Sequence, residues 1–181
     1  MTKIKNIIPT KFMDIKLFEF ASYNDDRGFF REVFNKETKS LIGDKINFIQ
    51  DNESRSKRGV LRGLHFQHPP SEQSKLIRVS QGEIQDVVVD IRSKSDTYGQ
   101  WESFILSSSN NRSLFVPRGF AHGFLVLSQE AVVNYKVDNY YDSNLDSGIV
   151  YNDATLNIKW ELPHNDIIIS DKDKKLPSFQ K

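Results

Sequence analysis

The chain consists largely of short segments in which apolar and polar residues alternate, and a period of two is the pattern of β-strands. Turn-forming residues separate these segments, as in Asp25-Asp26-Arg27-Gly28, Gln81-Gly82 and Pro117-Arg118-Gly119. Many short strands at regular spacing predict an antiparallel sandwich or jelly roll. Only Lys36–Leu41 and the C-terminal fifth of the chain show weak helical patterns. The candidate strands are Phe29–Phe34, Asn47–Asp51, Val60–Phe66, Leu76–Ser80, Glu83–Arg92, Trp101–Leu106, Ser113–Val116, Gly119–Leu127 and Ala131–Asp138.

The composition excludes several classes of protein. A chain of 181 residues with a formal net charge of +1 has no field of one sign that would draw it to nucleic acid or to an anionic membrane. Cysteine is absent, which excludes disulfides, thiolate metal ligands and a cysteine nucleophile. Because the sequence shows no signal peptide, transmembrane segment or linker, we expect residues 1–181 to form a single domain in the cytoplasm.

The segment from Arg58 to His68 combines strand-forming apolar residues with an arginine and a histidine, Arg62 and His65. Arginine is almost never fully buried without a partner. This strand therefore either faces water or lines a polar pocket.

A second strand carries a carboxylate on a face that is otherwise apolar. Within Glu83–Arg92 the alternation places Asp86 on the same face as Ile84 and Val88. One interpretation is that the inner side of the sheet is partly a polar cavity, as in a jelly roll that is open at one end. The alternative is that this face of the strand points to solvent.

The histidines do not show a metal-binding pattern. A divalent ion needs at least three convergent imidazole or carboxylate ligands. His65 and His68 are three residues apart, which on a strand sends them to opposite faces. His122 and His164 are isolated in the sequence. The sequence therefore argues against a metal site.

A general base fits His65 better. Histidine titrates near neutral pH and is well oriented when a carboxylate accepts a hydrogen bond from one of its ring nitrogens. Asp171 and Asp173 are the candidate partners, and Tyr135 is a candidate acid on a predicted strand. The alternatives are a pocket histidine without a catalytic role and an ordinary strand tyrosine.

Seven segments, in the same order and at similar spacing, resemble the dTDP-4-dehydrorhamnose 3,5-epimerase family over nearly the whole chain. They are Asp26-Arg27-Gly28-Phe29-Phe30, Phe48-Ile49-Gln50-Asp51-Asn52, Gly59-Val60-Leu61-Arg62-Gly63-Leu64-His65-Phe66-Gln67, Gln73-Ser74-Lys75-Leu76-Ile77-Arg78-Val79, Pro117-Arg118-Gly119-Phe120-Ala121-His122-Gly123-Phe124, Asn139-Tyr140-Tyr141 and Ser170-Asp171-Lys172-Asp173.

The resemblance implies an all-β, cupin-type double-stranded β-helix, a jelly roll with a few short helices, that needs no metal or cofactor. It further implies a homodimer that acts on a dTDP-linked 4-keto-6-deoxy sugar. The implied reaction is 3,5-epimerisation of dTDP-4-dehydro-6-deoxy-D-glucose to dTDP-4-dehydro-L-rhamnose, in dTDP-rhamnose and surface-polysaccharide biosynthesis.

The resemblance also implies roles for individual residues. His65 is expected to be the general base, Asp173 its dyad partner, Tyr135 the general acid on the opposite face of the sugar, and Lys75 the group that stabilises the enolate. The positions that match substrate-binding residues, some of them expected from the partner subunit, are Arg27, Glu32, Gln50, Asp51, Asn52, Arg62, His122, Tyr141, Asp146 and Lys172.

These roles require Arg62 and His65 to reach the same pocket. On a regular strand, residues three apart point to opposite faces. We therefore predict a bulge or kink near Gly63.

Three positions depart from the family pattern. Tyr151 stands where a tryptophan is common, Asn157 where a glycine is usual and Gln85 where an aromatic is frequent. None changes the expected base or acid, but together they leave the exact sugar open. The alternatives are a single-centre 3- or 5-epimerase, a ketoisomerase on a related nucleotide sugar, or a non-catalytic binding module.

Overall fold

The computed structural model describes residues 4–180 and is built mainly from antiparallel strands. The strands are β1 (Ile4–Ile8), β2 (Lys16–Phe20), β3 (Tyr23–Asp25), β4 (Gly28–Phe30), β5 (Gln50–Lys57), β6 (Val60–Gln67), β7 (Lys75–Gln81), β8 (Glu83–Asp90), β9 (Trp101–Ser107), β10 (Arg112–Val116), β11 (Phe120–Val126), β12 (Glu130–Val137), β13 (Asp146–Gly148) and β14 (Ile168–Ile169). The helices are α1 (Lys36–Ile42), a 3₁₀ turn at His164–Asp166 and α2 (Asp171–Lys174). Within residues 4–180, no helix has the length and apolar character needed to cross a membrane.

The strands form two large sheets and one separate hairpin. The first sheet has the order β1-β2-β10-β7-β12-β5, and the second has the order β13-β6-β11-β8-β9. In the second sheet, β14 adds to β6 in parallel, while the other pairs in both sheets are antiparallel. Among the described residues, β3 and β4 pair with each other and with no strand of the two large sheets. This architecture confirms the predicted all-β jelly roll with short helices.

The main core lies between the two sheets, because each sheet turns the apolar side of its alternation toward the other. Strand β8 contributes Ile84 and Val88 to this core, as its alternation predicts. The other fully or nearly buried members include Leu17, Ile77, Val79, Leu106, Leu114, Phe120, Phe124, Val126 and Val133. The pocket described below interrupts this core where polar side chains replace apolar ones.

Two further clusters cover the outer faces of the sheets. Segment 34–48, which includes α1, packs Phe34 and Phe48 against the first sheet. Residues 149–160 and Phe179 pack against the second sheet, around Val87 and Leu64. Both sheets are therefore covered on their outer sides without a long helix.

Some predicted strand limits are wrong. The segment predicted as one strand from Phe29 to Phe34 ends at Phe30 and belongs to the β3–β4 hairpin. Strands β1 and β2 were not among the candidates, and β5 begins three residues later than predicted and runs to Lys57. The limits of β5 could not be predicted because its sequence is polar and shows no apolar alternation. It is an edge strand, and backbone pairing with β12 along its whole length keeps it extended.

The helical prediction for the C-terminal fifth is largely wrong. Up to residue 180, this region contains one four-residue helix, one 3₁₀ turn and the short strands β13 and β14, and its other residues are irregular. Side chains hold its backbone in place of a helical ladder. The buried carboxylate of Asp153 accepts hydrogen bonds from the backbone of Thr155, Leu156 and Phe179. Trp101 donates its indole N–H to the carbonyl of Leu156.

Candidate active site

A pocket of about 530 Å³ lies between the two sheets. The second sheet contributes His65 and His122 to its walls, and the first sheet contributes Lys75 and Tyr135. Segment 168–173 closes one side with Asp173. All four predicted catalytic residues therefore lie in one cavity.

His65 and Asp173 form a close pair at this pocket. The Nε2 atom of His65 lies 2.8 Å from Oδ1 of Asp173, although the two residues are 108 positions apart in the chain. Asp173 also accepts a hydrogen bond from the backbone N–H of Gly63 at 3.3 Å. Burial opposes ionisation, but these hydrogen bonds outweigh it and hold the pKa of Asp173 below its ordinary value. The carboxylate thus orients the imidazole and leaves Nδ1 available for proton transfer.

The residue pattern alone left open whether Asp171 or Asp173 faces His65, and the family resemblance implied Asp173. Helix α2 brings Asp173 to His65. The Ser170 hydroxyl caps the helix by accepting the backbone N–H of Asp173. Asp173 consequently turns inward and is 4% exposed. The side chain of Asp171 is 90% exposed and contacts Lys174.

The irregularity predicted near Gly63 is present. His65 pairs with His122 and Arg62 pairs with Phe124, so three steps on β6 match two steps on β11. This extra residue is a β-bulge, and it reverses the side-chain alternation. Arg62 and His65 consequently line the same pocket. Arg62 is held there by a hydrogen bond from its Nε to Ser56 Oγ at 3.1 Å.

His122 forms a second histidine–carboxylate pair. Its Nε2 lies 2.9 Å from both carboxylate oxygens of Asp86. Asp86 is fully buried, and His122 is 8% exposed. The polar inner face expected from Asp86 is therefore real, and its partner is an imidazole of the neighbouring strand.

Lys75 and Tyr135 are the other titratable groups of the first sheet in the pocket. Burial lowers the pKa of Lys75 to about 8, against the opposing influence of Asp86 and Asp146. Burial also raises the pKa of Tyr135, partly offset by the positive charge of Arg62. Lys75 can therefore change its protonation state near neutral pH, whereas Tyr135 keeps its proton there.

Three predicted binding residues meet at the rim of the pocket. Lys172 forms an ion pair with Asp146, and the Tyr141 hydroxyl donates to the same carboxylate at 3.2 Å. The tyrosine is 58% exposed, so its ring is available to stack on a planar group.

The predicted residues of β5 divide between two faces of the first sheet. Asn52 lies opposite Tyr135 in the register and accepts a hydrogen bond from Gln50 at 2.8 Å. Asp51 points to the other face, where it binds Lys136 at 2.6 Å. Gln50 and Asn52 thus lie on the same face of β5 as Ser54, which lines the pocket, whereas Asp51 lies on the opposite face.

Arg27 and Glu32 lie away from this pocket within the same chain. Arg27 is at the tip of the β3–β4 hairpin and forms an exposed ion pair with Asp25 at 2.5 Å. Glu32 accepts a hydrogen bond from Asn35 at 2.5 Å. Their binding roles stay predictions that concern a partner subunit.

Two residues of the site were not among the predicted ones. Asp86 was recognised as unusual, but a sequence does not show that it lies diagonally across from His122 on another strand. Ser54 lines the pocket, and its buried hydroxyl has no hydrogen-bond partner within residues 4–180. Nothing in the polar sequence of β5 distinguishes Ser54 from its neighbours.

A second pocket, of about 560 Å³, lies beside Phe66, His68 and the tail residues 177–180. It contains none of the predicted site residues. His68 stacks edge-on against Phe66 and has no carboxylate partner within the described part of the chain. The predicted base, its carboxylate partner, the predicted acid and Lys75 line the pocket of His65, which makes that pocket the candidate for proton-transfer chemistry.

Comparison with known proteins shows similarity to one family. A family model described as dTDP-4-dehydrorhamnose 3,5-epimerase matches residues 9–181. The chain is 52% identical to the dTDP-4-dehydrorhamnose 3,5-epimerase of Methanothermobacter thermautotrophicus, covering 87% of this chain and 85% of the relative. The crystal structure of the Bacillus anthracis enzyme of the same name, with TDP and pyrophosphate bound, superimposes with a TM-score of 0.91 at 48% identity, covering 96% and 99% of the two chains. A Legionella pneumophila 3,5-epimerase in complex with dTDP-4-keto-L-rhamnose has a TM-score of 0.89 at 43% identity, with 97% and 99% covered.

Proposed function

Because the chain belongs to the dTDP-4-dehydrorhamnose 3,5-epimerase family, we propose that the pocket of His65 binds dTDP-4-dehydro-6-deoxy-D-glucose and inverts its carbons C3 and C5. The product of this reaction is dTDP-4-dehydro-L-rhamnose. The observation that carries the proposal is the placement of His65 and Tyr135 on opposite sheets of one cavity. A sugar ring bound between the sheets would present one face to the base and the other to the acid.

The first step is removal of the proton next to the ketone. Asp173 accepts the Nε2–H of His65, so the lone pair of Nδ1 takes the proton and the imidazolium forms beside a carboxylate. The electrons of the broken C–H bond move to the ketone oxygen and create an enolate. Lys75 in its protonated form and His122 as the imidazolium, whose Nδ1 carries a hydrogen, supply positive charge and hydrogen bonds to that oxygen.

The second step is delivery of a proton from the other side. Tyr135 donates its hydroxyl proton to the same carbon, and the enolate becomes a ketone again. The positive charge of Arg62 stabilises the resulting tyrosinate, since this charge acts to lower the pKa of Tyr135. His65 then releases its proton to solvent and the tyrosinate takes one from solvent, which resets the site for the second carbon.

The cations at the rim suit the nucleotide part of the substrate. Arg62 and Lys172 can bind the two phosphates, and the exposed ring of Tyr141 can stack on the base. Gln50 and Asn52 lie on the same side of β5 as the pocket wall.

We also propose a homodimer in which the β3–β4 hairpin of each chain completes the pocket of its partner. The hairpin joins neither large sheet, and Phe29 and Phe30 on it are 64% and 63% exposed. In this arrangement Arg27 and Glu32 would bind the substrate in the pocket of the partner subunit. A monomeric mass in sedimentation velocity would contradict it. The cytoplasmic location and the single domain over residues 1–181 stay predictions.

The reaction is tested by incubating the protein with dTDP-4-dehydro-6-deoxyglucose in heavy water and following the sugar by NMR. We expect deuterium at both C3 and C5. Label at C3 alone would show a single-centre enzyme, and the absence of label would exclude an epimerase acting on this sugar.

Two variants connect the reaction to the pocket. His65→Ala should reduce exchange by about 10²–10⁴-fold, the usual contribution of a positioned base. His68→Ala is the matched control, since this histidine lies two residues after Phe66 and lines the other pocket. Equal activity of the two variants would rule out His65 as the base.

A further inference from the structure

Asp86 is a buried carboxylate that the proposed reaction does not use directly. It lies in the middle of β8, flanked on the same face by Ile84 and Val88, and none of its surface is exposed. An ionised carboxylate in such surroundings is costly unless it is paired and hydrogen-bonded. Its presence in the core beneath the pocket therefore calls for a specific role.

The first effect of Asp86 is on the orientation of His122. Asp86 lies opposite Phe124 and His122 lies opposite Val88, so the two side chains are diagonal neighbours on one face of the sheet. Both carboxylate oxygens are 2.9 Å from Nε2 of His122. Because an ionised carboxylate only accepts hydrogen bonds, Nε2 carries a hydrogen and the ring is held in one orientation. Nδ1 is the nitrogen left for the substrate, and it donates to an enolate oxygen in the imidazolium form, in which both ring nitrogens carry hydrogen.

The second effect of Asp86 is on Lys75. Burial alone would drive this amine toward its neutral form, and Asp86 is the leading group that opposes this, ahead of Asp146. A neutral amine could not supply the positive charge that an enolate oxygen needs. The carboxylate thus acts on the two groups that we assign to the ketone oxygen.

We propose that Asp86 is a positioning residue of this active site: its buried carboxylate orients His122, 2.9 Å away, and supplies a negative charge that acts on Lys75 across the pocket, so that both groups can stabilise the enolate. This inference rests on the proposed epimerisation, because it assumes that an enolate forms in the pocket. Asp86 does not line the pocket and acts only through the other two residues.

The charges around Lys75 come from every element of the pocket. The other charged or titratable groups around Lys75 are Arg62 and His65 on β6, His122 on β11, Tyr135 on β12, Asp146 on β13, and Lys172 and Asp173 on α2. A substitution of Asp86 leaves all of these in place.

The test is Asp86→Asn, which keeps the size and one acceptor but removes the charge. We expect a lower kcat with little change in KM, and an alkaline limb of the kcat profile that moves to lower pH by about one unit, because loss of a neighbouring opposite charge disfavours the protonated amine. In the wild type this limb should lie near the pKa of Lys75, about 8. The loss relative to wild type should therefore be about sevenfold greater at pH 9 than at pH 6.5.

Asp90→Asn is the matched control. Asp90 lies on the same strand and face and is also fully buried, but it binds Arg92, Ser95 and Thr97 away from the pocket. Its substitution should lower stability without moving the alkaline limb. His122→Gln is the second active-site variant: it should reduce kcat but leave the limb unshifted, because the charge of Asp86 remains.

A measurement without substrate separates this inference from the proposed function. In carbon-13 NMR of lysine-labelled protein, with the Lys75 signal assigned from Lys75→Arg, the titration of Lys75 should move to lower pH in Asp86→Asn. An unchanged titration would overturn the inference even if the enzyme is an epimerase. If Asp86→Asn does not fold, an alkaline limb in His122→Gln that moves as far as one unit to lower pH would overturn it, since Asp86 is intact there. Wild-type protein without deuterium exchange would instead refute the proposed function.

Discussion

The replacement Asp173→Asn tests whether the histidine–carboxylate pair is needed for proton abstraction. Asp173 receives two donors, Nε2 of His65 at 2.8 Å and the N–H of Gly63 at 3.3 Å. A carboxylate accepts both, but an asparagine has only one acceptor oxygen and presents an NH₂ group at the other position. If that oxygen stays with Gly63, the NH₂ group faces Nε2 and forces the hydrogen of His65 onto Nδ1. The nitrogen that should take the substrate proton is then blocked.

The loss expected from this change follows from the chemistry of the wrong tautomer. In a serine protease the equivalent aspartate-to-asparagine change lowers kcat about 10⁴-fold. We expect a loss of about 10³–10⁴-fold here, which corresponds to about 4–5.5 kcal/mol of transition-state stabilisation. Binding of dTDP should change little, since Asp173 is 4% exposed and paired with protein groups.

The assay is the rate of deuterium incorporation at C3 and C5, with dTDP affinity measured by calorimetry. Asp171→Asn is the control, because this neighbour on the same helix is almost fully exposed and forms a salt bridge with Lys174. The reasoning fails if Asp173→Asn retains more than about a tenth of wild-type kcat with an unchanged unfolding curve.

Two further predictions concern stability and are measured by thermal unfolding. Gly63→Ala should cost about 3 kcal/mol or more, since its backbone has a φ of +124° and an added Cβ would lie 2.6 Å from Gly123 Cα. Gly28→Ala, with a φ of +127° and open space around it, should lose only the backbone part, and equal losses would refute the steric argument. Asn157 has a φ of +47°, so Asn157→Gly should be tolerated and Asn157→Ala should cost about 1 kcal/mol more; indistinguishable melting temperatures would show that the left-handed backbone is not under strain.

The fold was largely predictable because most strands of the two sheets alternate in the ordinary way. Strands β6 to β12 lie within a residue or two of their predicted limits. The exceptions have local physical causes. Strand β5 has no apolar pattern, and backbone pairing with β12 holds it in the sheet. The backbone of the C-terminal region is held by hydrogen bonds to single buried groups such as Asp153.

The departures from the family pattern also have local causes that only the structure shows. Asn157 occupies a left-handed position, which asparagine tolerates better than most residues, so it replaces the usual glycine at little cost. Gln85 is 1% exposed and bonds through both ends of its amide to the backbone of Lys159 and Glu161. Neither residue lines the pocket of His65, so neither would contact a substrate bound there.

The site itself was predictable residue by residue only where a motif matched. Nothing in the sequence says that Asp173 meets His65 across 108 positions, or that Asp86 meets His122 across 36. Both pairs depend on strand β6 and its neighbour β11: the bulge at Gly63 turns His65 toward the pocket and the backbone of Gly63 toward Asp173, and regular pairing with β8 sets His122 above Asp86. Each histidine thus faces the cavity from the second sheet with a buried or nearly buried carboxylate behind it. In the proposed reaction the two pairs have different roles, because the Asp173 pair forms the base whereas the Asp86 pair holds His122 and supplies a negative charge that acts on Lys75. The activity that remains in Asp173→Asn and in Asp86→Asn should therefore depend on pH in different ways.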